Sequence, residues 1–124
     1  MRHLVSAALL GAAALVAGPA YGACTYPRAP DSMPDGSTAS MEEMVAGQKQ
    51  VKQYMADMDT YLKCLDEEAP KAPAADAATE EQKKEAARLE SMRAQKHNAA
   101  VSEMESVAER FNQQLKAFKE KQKK

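Results

Sequence analysis

The chain has 124 residues, 17 Lys+Arg against 18 Asp+Glu, and only 5% aromatic residues. From Cys24 onward it holds eight Leu or Val, no Ile, two Phe, three Tyr and seven Met, too few bulky side chains to fill a broad core or wall a deep catalytic pocket. That composition excludes a large enzyme domain and, with no Ile and little Val, argues against a sheet. A thin seam of helix on helix is what these residues can fill.

Residues 1–22 read as a secretory signal peptide. Arg2 gives a positive start, Leu4 to Val16 is apolar and uncharged, and small residues follow from Ala17 to Ala23. A membrane span needs about 20 apolar residues, and Gly18-Pro19 breaks this stretch. Cleavage is expected near Gly22, with Ala20 and Gly22 as the small flanking residues. A cut just before Cys24 would instead leave a lipidated cysteine at the mature N-terminus. Without Arg2 the balance is 16 Lys+Arg to 18 Asp+Glu, a net of −2, which does not suit nucleic acid. The two cysteines, Cys24 and Cys64, read as one disulfide in a small exported protein.

Residues 23–37 carry Pro27, Pro30 and Pro34, so an extended arm precedes the first helix. Asp35-Gly36 turns the chain. A helix is predicted over 38–68, with either Thr38 or Ser40 as N-cap, the latter in a capping box with Glu43. Within it Met41, Met44, Gln48, Val51, Met55, Met58, Leu62 and Leu65 recur at steps of three and four, the 3.5 period of a helix that winds against another helix. Val45, Tyr54 and Tyr61 widen the seam.

Residues 69–78 form an Ala/Pro linker in which Pro70 and Pro73 stop the first helix. A second helix is predicted over 79–121, opened by the box Thr79-Glu80-Glu81-Gln82, with a frayed tail at 122–124. Leu89, Met92, Lys96, Ala100, Met104, Val107, Phe111, Leu115 and Phe118 form its stripe, at about 3.6 residues per step, so this helix is expected to be the straighter of the two. Lysines crowd its end: Lys116, Lys119, Lys121, Lys123 and Lys124. Cys24 to Glu68 carries a net charge of −5 and Ala69 to Lys124 a net of +3, which favours side-by-side packing. The expected fold is all-α: an antiparallel two-helix hairpin, coiled-coil-like, with an extended Pro-rich N-terminal arm.

A Cys24–Cys64 bond constrains that arm. Cys64 lies about 37 Å along the helix, and the arm spans about 43 Å as polyproline, so it reaches only by running back nearly straight along the first helix.

Chemistry is sparse. His97 has no second imidazole near it, and CxxC, Gly-rich phosphate loops and HExxH are all missing. Nothing pairs a general acid with a base, so the chain reads as a non-enzyme without a cofactor. Met41-x-x-Met44 and Met55-x-x-Met58 have the spacing of a Cu(I) thioether site, but a helix seam produces the same spacing. With Leu65 set opposite about Gln82, the first helix runs out opposite Val107. Phe111, Leu115 and Phe118 would then overhang, flanked by lysines, for a protein partner, a second copy or an anionic membrane surface. The alternative is that the arm, through Pro30, Met33 and Pro34, folds over them.

The pattern Cys24, Pro27, Pro34-Asp35-Gly36, Glu42-Glu43-Met44, Val51-Lys52-x-Tyr54 and Tyr61-Leu62-x-Cys64-Leu65 resembles an uncharacterised family of short secreted proteins of Gram-negative bacteria. The resemblance implies a periplasmic location and paired cysteines, and carries no activity.

Overall fold

The computed structural model describes residues 24–69 and 77–124; the signal segment 1–22 and most of the linker lie outside the described residues. Helix α1 runs Met41–Glu67 and helix α2 Glu80–Gln122, with no strand among the described residues. The two pack against each other as an all-α hairpin.

Both helices begin where a hydroxyl can take over an orphaned backbone donor. The Ser40 side chain accepts from the Glu43 amide at 3.2 Å and the Glu43 carboxylate accepts from the Ser40 amide at 2.6 Å. Thr79 and Gln82 exchange the same pair of bonds. The capping choice thus falls on Ser40, because Thr38 is already held in a turn whose amide donates to the Asp35 carbonyl. Ser40 and Ser37 each hold a carboxylate as a hydrogen-bond acceptor, Glu43 and Asp35 respectively. These bonds stabilise the charged forms and lower both pKa values.

The buried stripe of α1 is Met44, Gly47, Val51, Tyr54, Met58, Tyr61 and Leu65. It keeps the 3.5 period of the expected seam and shares Met44, Val51, Met58 and Leu65 with it. The other half is rotated: Gly47, Tyr54 and Tyr61 are buried, while Met55 and Leu62 are partly buried and Met41 is 60% exposed. The arm is the reason. It runs antiparallel along α1 on the Gly47–Tyr54–Tyr61 side. Tyr26 meets Tyr61 edge-on at 5.0 Å, and the Pro34 ring lies against Gly47. Cys24 and Cys64 close the far end with Cα atoms 5.6 Å apart. Glycine is needed at position 47 because a Cβ there would come within 2.7 Å of the Pro34 ring.

On α2 the buried residues are Ala100, Val107, Phe111 and Phe118. Arg93, His97, Met104, Gln114 and Lys121 are half-buried between and beside them, so this helix too buries a stripe stepped by three and four rather than drifting at 3.6. Two members of the expected stripe fall outside it: Met92 is 41% exposed and Lys96 is exposed. Three of the polar residues in the seam meet a partner across it. Arg93 reaches Asp66 at 2.8 Å, Gln114 accepts the Gly36 amide at 2.9 Å, and Lys121 donates to the Ala39 carbonyl at 2.6 Å.

These three contacts also set the register, and they correct the expected one. Leu65 does not face Gln82; its neighbour Asp66 faces Arg93, a displacement of roughly three turns along α2. The start of α1 therefore lies over Phe111 and Phe118, which are 7% and 4% exposed, and it is the beginning of α2 that projects past α1. Burial energy favours this choice. Covering a large apolar side chain stabilises by about 1.5–3 kcal/mol, and this register covers two Phe and part of Leu115 at the expense of Leu89 and Met92. The linker permits it: residues 69–78 can extend about 33 Å, and Glu80 to Arg93 rises only about 20 Å.

Candidate functional site

The hairpin has two flanks, and among the described residues only one is covered. On α1 the residues that follow each seam position by three (47, 54, 61) lie on one side of it, and those that follow by four (48, 55, 62) lie on the other. The arm fills the first side. The second side has no covering element among the described residues. It is bordered on α1 by Met41, Val45, Gln48, Met55 and Leu62, and on α2 by Val101, Met104, Ala108 and Leu115. Met41 and Val45, at 60% and 41% exposed, are the most solvent-accessible apolar residues along it.

At the end where α1 begins, this uncovered side widens into a groove of about 500 Å³. Phe111, Phe118 and Met44 are buried beneath it, Leu115 is partly buried, and Met41 and Val45 stand at its edge. Among the described residues its ionisable lining consists of Lys119 and Lys123, with Gln48 and Gln122 beside them. Lys121, two residues from each of these lysines and so on the other side of α2, is directed elsewhere: its ammonium holds the Ala39 carbonyl and lies 5.1 Å from the centre of the Phe118 ring.

The residues singled out from sequence distribute as follows. Cys24 and Cys64 are joined. Met44, Val51, Met58, Leu65 and Val107 are core, Met55, Leu62 and Met104 pack partly against it, Leu89 is half-buried, and Met41 and Met92 are exposed. Each Met-x-x-Met pair is split, one thioether in the core and its mate nearer solvent. Phe111 and Phe118 are not free to meet a partner with their rings; they form the floor of a groove whose edge does so. The expected arm cover is partly present: Pro34 and Gly36 approach Phe111 and Phe118, but from the opposite flank. His97 is half-buried on α2. The Glu68 carboxylate lies within 4.8 Å of both cysteine sulfurs, where its charge disfavours an attacking thiolate.

Three contributions were not read from sequence. Gly47 interrupts a helical run, which is the usual mark of close packing. Gly36 lies in the expected turn, yet its backbone is not left-handed; glycine is required because a Cβ would lie 1.8 Å from the Gln114 carbonyl oxygen. Arg93, Gln114 and Lys121 fall at three-and-four spacing with the apolar stripe, but a hydrophobic pattern passes over them.

Tyr54 carries a cost. Its ring is buried under the arm, and its hydroxyl has no hydrogen-bond partner. Burial, and secondarily the charge of Glu103, push its pKa up to about 12 from 10.0. Because the folded value is the higher one, this group's contribution to stability is intact below pH 10 and lost as pH rises toward 12. Tyr54→Phe removes an unsatisfied polar atom without changing shape. It is expected to leave the melting temperature equal or higher at neutral pH and to flatten the fall of stability in alkali. A marked destabilisation by Phe would show that the hydroxyl is bonded after all.

Comparison with protein-family models, with curated proteins and with solved structures yields no match to this chain.

Proposed function

We propose that this is a non-enzymatic, exported helical-hairpin protein of the periplasm that works by binding another protein through its uncovered flank. The family resemblance and the signal-like residues 1–22 support the location, and a disulfide suits an oxidising compartment. The observation that carries the reading is the asymmetry of the hairpin. One flank is sealed by a strapped arm, while the other leaves Met41 and Val45 exposed beside half-buried Met55, Leu62, Met104 and Leu115. A second copy is the partner for which the chain itself supplies a complement. Arm and α1 are net negative and α2 net positive, so two copies stacked flank to flank about a two-fold axis parallel to the helices lay α1 of one against α2 of the other and set opposite charges together.

The envelope-surface reading has less support. A sulfur bonded to Cys64 cannot also carry a thioether-linked lipid at Cys24. The aromatic rings of the basic C-terminal end are buried within the hairpin rather than presented to a bilayer. The copper reading likewise loses Met44 and Met58 to the core.

Site-specific photo-cross-linking tests the proposal without disturbing the core. Probes at exposed Lys52 and Asp59, beside the uncovered flank, are expected to yield protein adducts, a second copy foremost. Probes at Gln50 and Asp57, beside the arm, should not. Equal yields on both flanks, or none on either, would defeat the reading. Adducts to a different protein would retain the flank and replace the partner.

A further inference from the structure

The wide end of the uncovered flank differs from the rest of it. It is a groove with a volume of about 500 Å³, inside the range of about 300–1,000 Å³ typical of small-molecule sites, and it is apolar except for one pole. Met41, Met44, Val45, Phe111, Leu115 and Phe118 supply the apolar wall. Lys119, Lys123, Gln48 and Gln122 supply the pole, and among the described residues no carboxylate lines the groove. The nearby acid Glu43 is directed into the Ser40 cap, and among the described residues neither Lys119 nor Lys123 appears in an ion pair.

We propose that this groove binds the monomer of a single-chain anionic amphiphile, of the fatty-carboxylate type, with its alkyl chain over Phe111 and Leu115 and its head group at Lys119 and Lys123. Length and charge both select that class. The lining spans about 10 Å along α1 and about 18 Å along α2, close to the roughly 15 Å that one leaflet's acyl chain occupies in a bilayer. Two lysine stems can lie along the groove edge while their ammonium groups stay in water at its mouth. Their two positive charges outweigh the partial negative charge of about half a unit at the α2 C-terminus, so the mouth favours an anion over a neutral or cationic head. The groove shares Met41 and Val45 with the flank proposed for a protein, whereas Met55, Leu62 and Met104 lie outside it, so the inference does not depend on the identity of a partner.

Dodecanoate, dodecanol and dodecyltrimethylammonium, each kept below its micelle concentration, are titrated into the oxidised protein with labelled methionine methyl groups. Dodecanoate is expected to saturate one site, to shift the Met41 and Met44 signals while leaving Met92 unmoved, and to bind about tenfold more tightly than the cation. Lys119→Gln with Lys123→Gln alters only exposed residues and should erase most of that preference while keeping the thermal transition. Val45→Glu should weaken dodecanoate binding in the otherwise native chain. Equal affinity for the three heads, shifts that bypass Met41 and Met44, no saturable binding, or binding to anionic phospholipid vesicles without binding of the monomer would each overturn the proposal.

Discussion

Reducing the disulfide, or replacing Cys24 and Cys64 together by serine, is expected to lower the melting temperature by roughly 15–30 °C. The bond closes a loop with a sequence separation of 40, for which chain entropy alone gives about 4 kcal/mol. A domain of about 100 residues loses about 4–8 °C per kcal/mol. The core cannot absorb such a loss, because only Met58 and Val107 among its larger side chains are fully buried. The effect should also be local. Hydrogen exchange is expected to rise first at the Cys24 end of the arm, where Tyr26 against Tyr61 is the main remaining contact. The Gly36 amide, bonded to the Gln114 side chain at 2.9 Å, should stay protected longer. An unchanged melting curve after verified reduction would mean that the arm is held without its strap.

The second large effect is expected at the other end of the arm. Gly36→Ala should cost about 2–3 kcal/mol, or roughly 10–20 °C. The added methyl would lie 1.8 Å from the Gln114 carbonyl oxygen and 2.9 Å from the Phe118 amide nitrogen. Both are backbone atoms of α2 and no rotamer relieves the overlap, so the turn must lift away. Lifting it breaks the Gly36 amide bond to Gln114, loosens the Lys121 contact to Ala39 and uncovers Phe118. Gly47→Ala provides the contrast. Its new methyl meets the ring of Pro34, at 2.7 Å, which is a side chain of the arm and not backbone of α2. Replacing a helical glycine also returns about 1 kcal/mol of helix propensity, so the net cost should be smaller than that of Gly36→Ala. Calorimetry on the two variants checks the pair; similar melting temperatures would show that the turn does not rest on α2 as closely as described.

Much of the architecture is legible in the order of residues because the relevant physics is local. Two capping boxes, prolines that forbid helix and a 3.5-residue period depend only on near neighbours along the chain, and two cysteines leave a single possible pairing. Those features yield two helices, an arm and a strap, with α1 at Met41–Glu67 and α2 at Glu80–Gln122 close to the expected spans. The Phe111, Leu115 and Phe118 cluster was also recognisable as unusual, since large apolar side chains beside lysines need either cover or a partner.

What a one-dimensional pattern leaves open is which face of each helix turns inward and how far one rod slides along the other. A heptad repeat is satisfied at several registers spaced by whole turns, and the choice among them is made by contacts between residues far apart in the chain. Here Arg93 with Asp66, Gln114 with Gly36 and Lys121 with Ala39 make that choice, aided by the burial of two phenylalanine rings. The arm then decides the rotation of α1, drawing Gly47, Tyr54 and Tyr61 inward and leaving Met41 and Val45 at the surface. Periodicity therefore established that the helices pair, whereas polar contacts across the seam and close backbone approach determined which apolar residues remain exposed at the groove.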